Sequence, residues 1–185
     1  SFPRLVLLRV AVFVEVRSGV LAVFVYTGAV YLRFSRLPTP VFHDPATYQF
    51  QIGKGEKLTD GYDIAVIATG LMVPEALRAA VLAKRQGIAI RVINMPTIKP
   101  LDEEIVLRAA RECHKIITVE EHSVIGGLGE AVCSLLSEKA PTPVRRIGVQ
   151  DKFGHSGPAW EVLRDYGLTA DAIADAVRSF VKEDQ

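Results

Sequence analysis

From Tyr48 onward, short apolar runs alternate with longer stretches in which apolar residues recur every three or four positions. Ile64 to Ala68, Ala89 to Ile93, Ile116 to Val119 and Val144 to Ile147 are the short runs and read as strands. Helical patterns lie between and after them. One runs from Pro74, suited to a first turn, through Gln86 and is closed by Gly87. A second runs through Glu112, with Asp102 as its cap and Glu103 and Glu104 suiting its dipole. A third follows Gly126 to Gly129 and carries Ala131, Val132, Leu135 and Leu136; two more span Pro158 to Tyr166 and Ala170 to Val181. Such alternation predicts a largely parallel, three-layer α/β/α sandwich. Phe50 to Ile52 and Glu56 to Leu58 read as short extended pieces, Asp60-Gly61 as a turn, and Pro96 to Pro100 as a rigid loop. In the last third, Ser156 is expected to cap the helix opened by Pro158, with Trp160, Leu163 and Tyr166 as core.

The first 40 residues break this rhythm. They carry Arg4, Arg9, Arg17, Arg33 and Arg36 against a single acid, Glu15, among long apolar runs. Leu5 to Leu8 and Ala29 to Phe34 read as strands. Val14 to Tyr26 is ambiguous: its β-branched content favours a strand, whereas its length and the following Thr27-Gly28 favour a crossover helix, the reading preferred here. Pro38, Pro40 and Pro45 make Leu37 to Ala46 an extended linker. The organisation expected is therefore residues 1–36, a linker at 37–47, and a main domain at 48–185. Arg9, Glu15 and Arg17 interrupt every apolar run well short of the roughly 20 residues a membrane span needs, so the leading segment reads as a buried piece of something larger.

Composition narrows the classes. With 185 residues, 49% of them hydrophobic, the chain can bury one good core plus an appendage. The 22 basic residues nearly cancel the 21 acidic ones, which gives no electrostatic argument for nucleic acid or a membrane as partner. Cys113 and Cys133 sit in helical patterns without a second thiol nearby, which suits a reduced, cytoplasmic protein.

Candidate chemistry centres on Lys115 to Leu136, where a strand leads through Glu120, Glu121 and His122 into a glycine-rich turn and a helix. This loop is expected at the carboxyl edge of the sheet, where ligands of open α/β folds bind. Carboxylates beside a histidine can do acid/base work there. A solvated loop or a subunit contact accounts for the same residues and is preferred, so Glu121 and His122 are candidates for an interface or active-site rim. Gly127-Leu128-Gly129 has Val132 at the third glycine position of a dinucleotide fingerprint and reads as a structural turn. The four histidines show no paired ligand spacing for a metal.

Four stretches in order carry a resemblance: YLRFSR (Tyr31 to Arg36), IATG (Ile67 to Gly70), EEHSVIGGLGEAV (Glu120 to Val132) and DKFGHSGPAWEVLRDYGLTADAI (Asp151 to Ile173). Together they resemble the transketolase superfamily, in particular the C-terminal subunit of split transketolases. The resemblance implies a C-terminal domain with a five-stranded mixed sheet whose antiparallel edge is Glu56 to Leu58. It implies that residues 1–36 are the last strand, helix and strand of a pyrimidine-binding domain, although Val10, Ala11 and Val12 stand where a Pro-Ala-Asp turn is usual. It implies a thiamine-diphosphate- and magnesium-dependent ketol transferase acting on sugar phosphates, a dimer or heterotetramer with an N-terminal cofactor-binding subunit or domain. Arg36 takes the position of an arginine that meets the sugar phosphate. The catalytic glutamate and the Gly-Asp-Gly cofactor motif have no counterpart in this sequence, since Thr59 precedes Asp60-Gly61 and Asn94 is the sole asparagine, so the chain alone is expected to bind no cofactor and catalyse nothing. Deoxyxylulose-phosphate synthase, a 2-oxo-acid dehydrogenase β subunit and a non-catalytic α/β interaction module are the competing readings.

Overall fold

A computed structural model describes residues 6–10, 13–35, 37–44 and 46–183. The candidate Arg36, the turn positions Ala11 and Val12, and Pro45 of the linker lie outside them. In chain order the elements are β1 (Val6–Val10), α1 (Phe13–Val25), β2 (Val30–Phe34), β3 (Glu56–Lys57), β4 (Ile64–Ala68), α2 (Met72–Lys84), β5 (Ile90–Asn94), β6 (Thr97–Lys99), α3 (Glu103–Cys113), β7 (Ile116–Ser123), α4 (Leu128–Lys139), β8 (Val144–Val149), α5 (Ala159–Asp165) and α6 (Ala170–Lys182).

The larger sheet has the order β3-β5-β4-β7-β8, parallel except for β3, which pairs antiparallel with β5 at the edge. This is the five-stranded mixed sheet expected, with Glu56 and Lys57 as its antiparallel edge. Its centre, β4, is buried at every position because both faces are covered, which is why it reads as an unbroken apolar run. Alternate residues serve the two faces. Ile64, Val66, Ala68, Val92 and Val119 meet Ala76, Ile173 and Val177 of α2 and α6. Ala65, Ile67, Ile93 and Ile116 meet Val106, Ala109, Val132 and Leu136 of α3 and α4. Asp102 caps α3 by accepting from the Ile105 N–H at 3.3 Å, as its position before two glutamates predicts.

A second sheet has the order β2-β1-β6. β1 and β2 are parallel, Val6 opposite Val30 through Val10 opposite Phe34, so a crossover must join them, and α1 supplies it. The helical alternative for this ambiguous stretch is the one that forms. The Pro96 to Pro100 segment departs from expectation. Instead of a loop alone it holds β6, which pairs antiparallel with β1 and links the leading segment to the main fold. Prolines at both ends keep such a segment extended and leave its middle free to pair.

Two further expectations fail locally. Ser156 does not cap α5, because the helix begins at Ala159 with Pro158 at the cap position and no side-chain bond there. Trp160 is half exposed, since α5 is a short surface helix that buries only Leu163. The stretch expected as a linker, by contrast, is anchored. Phe42 packs on the core, and His43 is buried between Tyr48, 3.9 Å away ring to ring, and Asn94 at the end of β5. Among the described residues, no helix is long and apolar enough to cross a membrane.

Candidate functional site

β7 runs on through Glu120, Glu121 and His122 rather than ending before them as a loop. Val119 pairs with Ile147 and Ser123 with Val149, so four steps along β7 match two along β8. That bulge turns successive side chains to different tasks.

Glu120 goes inward. It is 1% exposed, and its two carboxylate oxygens accept from the N–H of Leu128 at 2.9 Å and of Gly129 at 2.8 Å. A buried carboxylate is tolerable only with such charge-assisted bonds, and the N-terminus of α4 supplies both the donors and a favourable dipole. The place where a helix N-terminus would cradle a ligand's phosphate is thus filled by the protein's own anion. Gly127 follows from this: a Cβ there would overlap the Glu120 carboxylate. The Gly127-Leu128-Gly129 signature therefore makes room for a cap.

Glu121 faces the leading segment. Its carboxylate accepts from Ser35 Oγ at 3.3 Å, and its carbonyl accepts from Arg33 Nη2 at 3.3 Å. The end of β2 is thereby held against the carboxyl edge of the large sheet. His122 remains partly exposed, with Nδ1 2.9 Å from the Ser123 carbonyl and 4.0 Å from Glu120 Oε2. A carbonyl can only accept, so this contact requires a proton on Nδ1. Glu120, Glu121 and His122 share this edge but have different hydrogen-bond partners, with His122 also 4.0 Å from Glu120. Neither Ser35 nor Arg33 is a candidate from sequence alone: Ser35 enters only as the neighbour of Arg36 in the Ser-Arg pair, and Arg33 stays unassigned.

The loop from Gln150 to Pro158 is the other polar stretch near this edge. The Tyr166 hydroxyl donates to the Phe153 carbonyl at 2.7 Å, and the His155 ring stacks on Tyr166 with Nε2 3.5 Å from Asp165. These bonds fasten the loop while the Phe153 side chain stands fully in solvent.

The described residues do not fit a thiamine diphosphate and magnesium site. Asp60 is paired with Lys57, and that hydrogen bond, ahead of the Lys57 charge, holds its carboxyl below the ordinary value. Gly61 behind it is pressed against Ile90 of β5, where a Cβ would overlap backbone. Asn94 is buried in the sheet. Among the described residues no group of acids, histidines and cysteines converges as a hard cation requires.

An open α/β domain with a capped glycine turn, its carboxyl edge bound to a short parallel strand pair, is the class these features define. The chain belongs to the family described as "Transketolase, C-terminal domain", whose profile matches residues 53–173. It is 38% identical to a transketolase C-terminal section of Methanocaldococcus jannaschii, over 100% of this chain and 58% of that one. It is 42% identical to a 6-deoxy-6-sulfo-D-fructose transketolase subunit of a Clostridium species, over 88% of this chain and 50% of the relative. The 1-deoxy-D-xylulose-5-phosphate synthase of Heliobacterium modesticaldum matches at 38% over 86% of this chain and 25% of its own. Among solved structures, a split-gene transketolase described as an inactive β4 tetramer superposes with a TM-score of 0.91 at 40% identity, covering 96% of this chain and 58% of that chain. The chain thus spans about half the length of the split-type relatives it matches.

Proposed function

We propose that this chain is the C-terminal part of a thiamine-diphosphate-dependent transketolase that moves two-carbon ketol units between sugar phosphates. Residues 1–36 act in it as the closing strand, helix and strand of a pyrimidine-binding domain, 37–47 as a linker, and 48–185 as the C-terminal domain. An N-terminal subunit or domain supplies the cofactor, its magnesium ion and the catalytic glutamate, within a cytoplasmic homodimer or heterotetramer. The observation that carries this reading is the seating of β2 on the carboxyl edge through Arg33, Ser35 and Glu121. It supports a rim in which Arg36, the residue after Ser35, meets the substrate phosphate, where a guanidinium suits bidentate binding. Glu121 holds the adjoining strand, and His122 stands partly exposed at the same edge.

The cofactor supplies the carbanion chemistry when the assembly is complete; this chain contributes position and phosphate binding. The test is reconstitution with the N-terminal partner, thiamine diphosphate and magnesium, followed by a ketol-transfer assay. Arg36→Ala should raise KM for phosphorylated sugars about tenfold or more, the loss expected for charge-assisted bonds, and spare an unphosphorylated donor. Equal effects on both donors would assign Arg36 to structure. Saturable micromolar binding of the cofactor by the chain alone would overturn the division of labour.

A further inference from the structure

On the α3 side of the large sheet, toward the amino ends of the parallel strands, lies Arg91 of β5, only 4% exposed. A guanidinium has five N–H donors and keeps its charge, so burial requires acceptors to replace the water it loses. Arg91 Nη1 is paired with the Glu112 carboxylate of α3, and Tyr62 lies 5.2 Å from the guanidinium carbon. Its Nε is buried with no acceptor among the described residues.

Beside Arg91 opens a pocket of about 270 Å³ whose other polar walls are Lys57, Arg108 and Glu112. Lys57 stands opposite Ile93 on the edge strand, so it shares a face with Arg91, two residues before Ile93. Arg108 and Glu112 lie one helical turn apart on α3. Three cations and one carboxylate therefore line a single small space. Their convergence shows in Glu112 itself. The Arg91 hydrogen bond holds its carboxyl below the ordinary value against the opposing effect of desolvation, and the charges of Arg91, Arg108 and Lys57 add to that.

We propose that this pocket binds a phosphate dianion, free or carried as a phosphate monoester, between Arg91, Lys57 and Arg108, with the Glu112 carboxylate as the resident anion that it displaces. Even with Lys57 also paired to Asp60, three cations face two carboxylates, and a dianion matches that excess better than Glu112 alone does. Glu112 is half exposed and can turn into solvent at little cost, whereas Arg91 cannot leave.

The experiment is calorimetric titration of the chain in an Arg36→Ala background, at fixed ionic strength, with inorganic phosphate, ribose 5-phosphate and ribose. Saturable heat with both phosphates and none with ribose is expected. Tighter binding of ribose 5-phosphate assigns the site to monoesters, and equal binding assigns it to free phosphate. Glu112→Gln removes the competitor and should tighten binding at least threefold. Lys57→Gln combined with Arg108→Gln, both at the surface and checked for fold by circular dichroism, should weaken it at least fivefold. No saturable heat, or a Glu112→Gln variant with unchanged affinity, overturns the proposal.

Discussion

Two buried charges on the large sheet have been treated differently by the fold. Glu120, at the carboxyl end of β7, has both oxygens engaged by backbone N–H groups and a glycine cleared beside it. Among the described residues, Arg91, near the amino end of β5, has a single carboxylate partner, an Nε without an acceptor and a pocket at its side. Both pay for desolvation, but only Glu120 recovers it through contacts that no other molecule could improve. A fully engaged buried charge belongs to the architecture, and a partly engaged one beside open space is where a ligand has something to gain.

The strongest way to break that comparison is at Glu120. Glu120→Ala leaves the first N–H groups of α4 without acceptors inside a cavity and should cost about 3 kcal/mol in urea unfolding, the range for losing charge-assisted bonds at a buried site. Gly127→Ala should cost a similar amount, because the added methyl expels the same carboxylate. The two losses are one event. The double variant should therefore be no less stable than Glu120→Ala alone, a coupling of about the size of either single effect. Additive losses would mean that the glycine serves another purpose.

Arg91→Met should cost much less, about 1 kcal/mol, since an apolar side chain of similar length fills the space and Glu112 rehydrates. The loss includes the Tyr62 contact. A loss as large as that of Glu120→Ala would place Arg91 in the architecture after all.

Regular parts of the fold were legible because periodicity reports burial. β4 reads as apolar throughout since helices cover both faces, and Asp102 announces α3 through its own cap bond. What failed was set by distant partners. β6 exists because β1 offers an edge some 90 positions earlier, and nothing in the proline-bracketed segment encodes that. Trp160 looked like core by spacing, yet only one turn of its short helix is covered. At the carboxyl edge, the Glu120-Glu121-His122 cluster was visible as chemistry but not as three separate tasks. Their division depends on the two extra residues of the β7 bulge, which only pairing with β8 defines. The Arg91 pocket was not legible at all, for Lys57, Arg91, Arg108 and Glu112 come together from three elements.

The smallest effect sharpens the comparison through pH. The Glu112 carboxyl is held below its ordinary 4.5 chiefly by the Arg91 hydrogen bond. A group whose pKa is depressed on folding binds protons more readily in the unfolded chain, so its contribution to stability is full above the unfolded value and disappears as pH falls through the folded one. Glu112 is exposed to solvent and the contribution is small, so it is read as a difference between variants. Stability of the parent should fall more steeply than that of Glu112→Gln from pH 4.5 downward, and the two curves should run parallel above pH 6. Parallel curves across the whole acid range would mean that Glu112 is not engaged by Arg91 in solution. The pocket would then have no resident anion to displace.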